Sequence, residues 1–289
     1  MAPLTELAAA KINLTLEILG RRPDGYHELV SLVAFAGFGD RLSLQPGPRF
    51  GLQVDGPFAG VLGADNLIER AVRRAQEQAP ALTSGRFRLE KTLPVAAGLG
   101  GGSADAAAAL RLVARANPEH AGGLDLGAIA AGIGADVTVC LEQRAAWMRG
   151  IGEQVACVPP LPETHVVLVN PGVALATAEV YAVLGVPLLD GGSVASALET
   201  PGPFPDLDAL LAYLDARGND LEAPALRLAP EIAEARDRLL AAAGCRFARL
   251  SGSGATWFGI FGTHAEAERA AARIRADRPG WWVVASSLN

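Results

Sequence analysis

Apolar and polar residues alternate over several short stretches of the chain, a pattern that predicts strands with one buried face. The clearest alternation runs from Ile12 to Ile18. A turn is predicted at 21–28, because Pro23, Asp24 and Gly25 favour turn geometry. In the first half of the chain the predicted strands lie at 12–18, 29–35, 41–46, 86–93, 137–141 and 145–150.

Helical spacing predicts three helices in the same half of the chain, at 66–79, 103–117 and 126–134. Asp65 or Asn66 supplies the cap of the first. The second carries the strongest signals, because Ser103 is a good N-cap, Asp105 suits the first-turn dipole and an alanine run follows.

Prolines concentrate at 158–162 and indicate a boundary, which divides the chain into domains at 1–160 and 161–289. Beyond it, strands and helices interleave, as is typical of a two-layer α/β sandwich. A Gly/Pro-rich segment at 186–205 is predicted to be a loop. The predicted strands lie at 165–171, 246–250, 255–261 and 281–286, and the helices at 177–184, 206–217, 230–243 and 264–277.

Composition narrows the class of protein. Of 289 residues, 50% are hydrophobic and 19% are charged, which excludes a disordered chain. The net charge of −6 argues against a nucleic-acid partner. Three dispersed cysteines predict reduced thiols, and no signal peptide or membrane span stands out. The chain is therefore expected to be soluble and cytoplasmic, without a membrane partner, and either a monomer or a homodimer.

The sequence GLGGGS at 98–103 places four glycines in six positions between a predicted strand and the strongest predicted helix. Glycines let the backbone approach an anion closely, and the helix N-terminus offers free N–H groups. A tight turn is the alternative, but it does not need four glycines. This pattern predicts a phosphate site. It lacks the GK[ST] of a Walker A loop, and a dinucleotide fingerprint normally opens its domain, so a nicotinamide enzyme is the weaker interpretation.

Three segments resemble the motifs of the GHMP small-molecule kinases: AAAKINLTL at 8–16, PVAAGLGGGSADAA at 94–107 and RLSGSGATWF at 249–258. PDGYHEL at 23–29 and GIGADVTV at 132–139 resemble a branch that phosphorylates a cytidine diphosphate-linked methylerythritol. The resemblance implies an α+β fold of two domains. The N-terminal domain, 1–160, would be of the ribosomal S5 domain 2-like type, and the C-terminal domain, 161–289, would be a ferredoxin-like α/β sandwich.

The resemblance also implies the reaction, which is transfer of the ATP γ-phosphoryl to the 2-hydroxyl of that substrate. Asp136 and Lys11 resemble the catalytic pair of the family. Whether Asp136 acts as a base, or orients the hydroxyl while Lys11 neutralises charge, stays open. Mg²⁺ is expected on phosphates and water, because no second acidic ligand stands out. The residues implied for ATP are Asn66, Lys91, Pro94, Gly98, Leu99, Gly100, Gly101, Gly102 and Ser103.

Substrate residues follow from the same resemblance. His27 would hydrogen-bond cytosine, with Tyr26 and Tyr181 stacking on it. The full set implied for the substrate is Asn13, Tyr26, His27, Tyr181, Gly252, Ser253 and Gly254. The alternative is another GHMP kinase, acting on a sugar, a mevalonate-type acid or homoserine. PDGYHEL favours the cytidylyl substrate, since the others carry no cytosine. An RNA-binding protein is a further alternative, which the net charge disfavours.

Overall fold

The computed structural model describes residues 3–61, 66–189 and 200–289. Its strands are β1 (Leu4–Asn13), β2 (Glu17–Arg21), β3 (His27–Gln45), β4 (Gly51–Asp55), β5 (Arg86–Glu90), β6 (Ala146–Gly150), β7 (Gln154–Cys157), β8 (His165–Asn170), β9 (Cys245–Leu250), β10 (Trp257–Phe261) and β11 (Trp282–Ser287). Its helices are α1 (Leu67–Gln78), α2 (Gly101–Ala116), α3 (Pro118–Ala121), α4 (Leu126–Ala131), α5 (Ala135–Glu142), α6 (Thr177–Leu184), α7 (Leu207–Asp215), α8 (Glu222–Leu228), α9 (Ala233–Leu240) and α10 (His264–Asp277). Short 3₁₀ turns lie at Ala59–Val61 and Pro230–Ile232.

The backbone packs into two compact units, each assembled from separate stretches of chain. Unit 1 comprises Met1–Lys11, Phe38–Val95 and Gly100–Gln143. Unit 2 comprises Ile12–Gly37, Ala96–Leu99 and Arg144–Asn289. The division at residue 160 that the prolines predict therefore stays a prediction, because these units describe packing and not evolutionary domains.

Unit 1 combines a small sheet with a helical layer. The second half of β3 pairs antiparallel with β5, and β5 pairs parallel with β4. Helix α2 packs against α1 and α5, and α4 packs against α1 and α5. The alanines from Ala104 to Ala109 are all buried. Side chains this small let the neighbouring helices approach closely, and alanine has the highest helix propensity.

Unit 2 contains a four-stranded antiparallel sheet in the order β11-β8-β10-β9. Helices α9 and α10 cover the sheet. Its core includes Trp257 and Phe261 from β10 together with Val167 and Val169 from β8. The first half of β3 pairs with β2 and β6, and β6 pairs with β7. The four-stranded sheet and helices α9 and α10 form the predicted α/β sandwich.

The structure corrects several predicted elements. The segment 137–141 is part of helix α5, not a strand, because Val137, Val139 and Cys140 are buried against α2 and tertiary packing overrides their β propensity. The predicted strand at 145–150 is β6, which pairs antiparallel with β3 and β7. The predicted strands 29–35 and 41–46 are one continuous strand, β3.

Other differences concern element ends and omissions. Helix α2 begins at Gly101, two residues before the predicted start. Helices α3 and α8 were not predicted from the sequence pattern. Asp65 and residues 190–199 of the predicted loop lie outside the described residues. In the part of the chain that is described, no helix combines the length and apolar character that a membrane crossing requires.

Candidate active site

In unit 1, an ion pair joins Lys11 at the end of β1 to Asp136 at the start of α5. The Nζ of Lys11 lies 2.7 Å from Oδ2 of Asp136. Lys11 is almost wholly buried, whereas the Asp136 side chain is 37% exposed. Asp136 belongs to the first turn of a helix, where the dipole stabilises a negative charge. The arrangement offers an accessible carboxylate that is held by a fixed cation.

The glycine loop lies against this pair. Gly100 is the N-cap of α2 in the left-handed conformation, with φ of +62°. A Cβ at Gly100 would stand 3.3 Å from the Lys11 Cβ and 3.8 Å from Oδ2 of Asp136. Only glycine fits both the backbone conformation and the space. The structure therefore brings Lys11, Asp136 and Gly100 together, as the resemblance implies.

The first turn of α2 differs in detail from the prediction. Ser103 is the third residue of the helix and not its cap. The helix instead begins with Gly101 and Gly102, whose backbone N–H groups have no side chain to cover them. Gly102 is exposed. Free N–H groups at the start of a 16-residue helix have the chemistry that suits an anion.

Asn66 caps α1, since its side chain accepts a hydrogen bond from the backbone N–H of Ile68 at 2.9 Å. Leu67, the residue after Asn66, lies near the start of α2, since a Cβ at Gly102 would be 3.6 Å from the Leu67 side chain. Pro94 is half-buried and precedes the loop. The predicted contacts of Asn66 and Pro94 with ATP stay predictions.

Lys91 lies in an unexpected position, buried between two carboxylates. Its Nζ donates to Oδ2 of Asp40 at 2.5 Å and to Oδ2 of Asp105 at 2.7 Å. Burial opposes the ammonium charge, but the two carboxylates together raise the pKa of Lys91. No sequence motif points to Asp40, and Asp105 was predicted in the first turn of α2. It lies in the second turn. The predicted contact of Lys91 with phosphate stays a prediction.

In unit 2, Ser251 joins the end of β1 to the first residue of the glycine loop. Its Oγ accepts a hydrogen bond from the N–H of Asn13 at 3.2 Å and donates to the carbonyl of Gly98 at 2.9 Å. A Cβ at Gly252 would stand 3.3 Å from Oδ1 of Asn13 and 3.2 Å from the Gly98 carbonyl. The next residue, Leu99, is buried. Close backbone packing therefore fixes this part of the glycine loop.

Unit 2 also contains a pocket of about 780 Å³. Tyr26, His27 and Tyr181 all line it, and the His27 and Tyr181 ring centroids are 4.7 Å apart. Burial, together with the nearby Arg21, lowers the pKa of His27, so its imidazole is neutral at pH 7. The whole lining comprises Arg21, Gly25, Tyr26, His27, Leu29, Ile151, Thr177, Ala178, Tyr181, Ala182, Gly185 and Val186.

A hydrogen bond joins this pocket to the second glycine loop, the sequence SGSG at 251–254. The hydroxyls of Thr177 and Ser253 are 2.9 Å apart. Thr177 begins α6, and Tyr181 follows one turn later on the same helix. Asn219 holds the loop from the other side, because its amide donates to the carbonyls of Leu250 and Gly252. Neither Thr177 nor Asn219 is among the site residues that the sequence predicts.

Comparison with known proteins agrees with this geometry. Two family models match the chain, "GHMP kinases N terminal domain" over residues 66–144 and "GHMP kinases C terminal" over residues 195–279. The crystal structure of a homoserine kinase from Cytophaga hutchinsonii, 17% identical, superposes with a TM-score of 0.69 over 99% of this chain and 95% of that one, which shows the fold. Fold and motifs together define a GHMP small-molecule kinase.

Full-length relatives identify the branch. A 4-diphosphocytidyl-2-C-methyl-D-erythritol kinase of Methylorubrum extorquens is 52% identical over the whole of both chains. Another, of Parvibaculum lavamentivorans, is 49% identical over 99% of each. A crystal structure of such a kinase, 36% identical, has a TM-score of 0.77 over 99% of each chain. The chain belongs to the family of 4-diphosphocytidyl-2-C-methyl-D-erythritol kinases.

Proposed function

We propose that the protein transfers the γ-phosphoryl group of ATP to the 2-hydroxyl of 4-diphosphocytidyl-2-C-methyl-D-erythritol. The observation that carries this proposal is the Lys11–Asp136 pair, 2.7 Å apart and in contact with Gly100 of the glycine loop. A carboxylate, a cation and a phosphate-binding helix end are the parts that in-line phosphoryl transfer needs. The names of the full-length relatives support the same reaction.

The triphosphate would bind at the start of α2. Gly101 and Gly102 present backbone N–H groups there, and Gly100 adopts a positive φ angle at the N-cap. These features suit a polyanion without a basic surface, in keeping with a net charge of −6. The adenine would lie near Asn66, as the resemblance implies.

The divalent ion would arrive on the nucleotide. Among the described residues, no group of three or more His, Cys, Asp and Glu side chains is arranged to hold a metal ion. Mg²⁺ retains several waters and binds readily through substrate phosphates. We therefore treat it as part of the substrate, MgATP, where it neutralises phosphate charge.

Asp136 and Lys11 would act on the acceptor hydroxyl. Because Asp136 is partly exposed, its carboxylate is accessible to a substrate hydroxyl and can accept that proton or orient the oxygen. Lys11 holds the carboxylate in place and supplies a positive charge where negative charge is transferred. A loose transition state lets the proton leave late, so a weak base is sufficient.

The pocket of unit 2 would bind the cytidylyl group. A neutral His27 has one nitrogen that donates and one that accepts, which suits the mixed donor and acceptor edge of cytosine. Tyr26 and Tyr181 offer aromatic faces on which a base can stack. The pocket volume of about 780 Å³ accommodates a nucleotide-sized group.

A phosphorylation assay tests the proposal. The purified protein is given MgATP with the cytidylyl substrate, galactose, mevalonate or homoserine, and ADP release is measured. We expect turnover with the cytidylyl substrate alone. Turnover with one of the other three acceptors would show that the protein has a different GHMP kinase activity. NADH binding without competition from ATP would exclude a kinase.

A further inference from the structure

The cluster formed by Lys91, Asp40 and Asp105 lies directly beneath the glycine loop. A Cβ at Gly101 would stand 3.2 Å from Nζ of Lys91 and 3.7 Å from Oδ2 of Asp40. Gly101 is the first residue of α2, and Asp105 lies one turn further along the same helix. The cluster therefore connects β3, the end of β5 and the start of α2 at the point where the helix offers its N–H groups.

The two carboxylates of the cluster are not equivalent. Asp40 is fully bonded, since its Oδ1 accepts from the N–H groups of Thr92 at 2.6 Å and Leu93 at 2.8 Å. Asp105 bonds to Lys91 through Oδ2, while its buried Oδ1 has no hydrogen-bond partner. A buried and partly unbonded carboxyl group is unfavourable for stability. Apolar clusters of similar volume often stabilise a fold as well as buried charges do or better, so stability alone does not explain these charges.

Lysine is rare in this chain. Lys11 and Lys91 are the only two lysines among 25 Lys and Arg residues. Both are buried, and each lies against one glycine of the loop, Lys11 at Gly100 and Lys91 at Gly101. A compact ammonium fits this space, whereas the larger planar guanidinium of arginine would displace the loop.

We propose that Lys91 and Asp105 are positioning residues for the nucleotide, because their contact beneath Gly101 fixes the direction in which the first turn of α2 presents its N–H groups to phosphate. This inference rests on the proposed function. Lys91 is 2% exposed and directs its ammonium at two carboxylates. It acts on ATP through the loop, without touching the phosphates.

The protonation of Asp105 gives the cluster a second property. Burial raises the pKa of Asp105 to about 7, against the attraction of Lys91, and the neighbouring Asp40 raises it further. On the adjacent α5, burial raises the pKa of Cys140 to about 12, so that thiol stays neutral. Below pH 7 the cluster is neutral overall. Above pH 7 it gains a net negative charge close to the phosphate site, which opposes ATP binding.

Two substitutions of Asp105 test the proposal in steady-state kinetics. Asp105→Leu removes the contact with Lys91, and we expect KM for ATP to rise about tenfold while kcat changes less than about threefold. Asp105→Asn keeps an acceptor for Lys91 and restores KM for ATP to near the wild-type value. The control is Arg111→Met. Arg111 lies further along α2 and forms an ion pair with Glu6 of β1, so its substitution leaves the glycine loop untouched.

A direct contact of Lys91 with phosphate predicts the opposite result. Asp105→Leu would then free the ammonium for ATP and leave KM for ATP unchanged or lower, which would overturn the proposal. If that variant unfolds, Lys91→Met combined with Asp105→Leu removes the charges as a pair. An unchanged KM for ATP in the folded double variant would equally overturn it.

The pH profile supplies a readout that a purely structural role would not change. We expect KM for ATP of the wild type to rise between pH 6 and pH 8 more than that of Asp105→Asn, which cannot titrate. If the wild type and Asp105→Asn gave equal pH profiles of KM for ATP, ionisation of Asp105 would not affect ATP binding. That result would refute its role as an ionisable positioning residue. Nucleotide binding by the wild type separately tests the proposed function, so the two failures are distinguishable.

Discussion

Lys11 and Asp136 show how much of the chemistry depends on single side chains. The two groups are 2.7 Å apart, and only Asp136 is accessible. The place of Lys11 in AAAKINL indicates a role for it, whereas a lone lysine in a strand otherwise indicates a solvated face. The sequence could not show that this lysine is buried, since burial depends on residues more than a hundred positions away, Asp136 among them.

Asp136→Asn is expected to keep nucleotide binding within about threefold and to reduce kcat by about a thousandfold, because the amide preserves size but cannot accept a proton or balance Lys11. Binding of an ATP analogue by calorimetry and single-turnover kinetics measure the two effects. Asp125→Asn is a matched control, since Asp125 only caps α4 and asparagine caps equally well. A near-wild-type kcat in Asp136→Asn would remove Asp136 from the catalytic role.

His27 makes a pH-dependent prediction. Burial lowers its pKa below the ordinary value, so the neutral form predominates at pH 7 and a charged form appears as the pH falls through that lowered pKa. We expect KM for the cytidylyl substrate to rise at acidic pH. KM for ATP should instead follow the ionisation of the cluster formed by Lys91, Asp40 and Asp105. His27→Asn should flatten the acidic rise. A rise confined to KM for ATP would mean that the two pockets are exchanged.

At the scale of elements, the glycine loop and its helix were predictable because their signals are local. Four glycines followed by a run of alanines predict a loop and a helix without any information on residues distant in the sequence. The same local reasoning failed for α5, where Val137 and Val139 favour a strand until packing against α2 decides for a helix. It failed again for Asp105, whose partner Lys91 also bonds to Asp40, a residue that is 65 positions from Asp105 and lies in no motif.

Gly100→Ala tests the loop as an element. The substitution places a Cβ 3.3 Å from Lys11 in a residue with φ of +62°, so we expect both a raised KM for ATP and a kcat reduced at least about tenfold. Gly172→Ala is the matched control. Its φ is +80°, but the added Cβ would meet nothing within 4 Å, so it isolates backbone strain from contact. Equal effects of the two substitutions on kcat would contradict the assignment of Gly100 to the site.

At the scale of the whole molecule, the chain passes repeatedly between its two units. Unit 2 takes Ile12–Gly37 and Ala96–Leu99 from the first half of the sequence. Backbone hydrogen bonds of this unit join Phe35 to Asn289 and Leu16 to Gly218. A division at residue 160 would therefore separate segments that pack together, although proline density favours it.

Separate expression of residues 1–160 and 161–289 tests this consequence. We expect the 161–289 fragment not to unfold cooperatively, because unit 2 would lack Ile12–Gly37 and Ala96–Leu99 in it. Thermal unfolding followed by circular dichroism measures it, with the full chain as the reference. A sharp transition in the isolated 161–289 fragment would instead show that the predicted domain folds alone.

The scarcity of lysine has a practical consequence for proteolysis. A lysine-specific protease has two bonds to cut in this chain, after Lys11 and after Lys91, and both lysines are buried. Cleavage therefore requires that unit 1 opens first, and at low protease concentration its rate follows the population of the open form. One digestion experiment, with and without ATP, thus measures how strongly a nucleotide holds unit 1 closed.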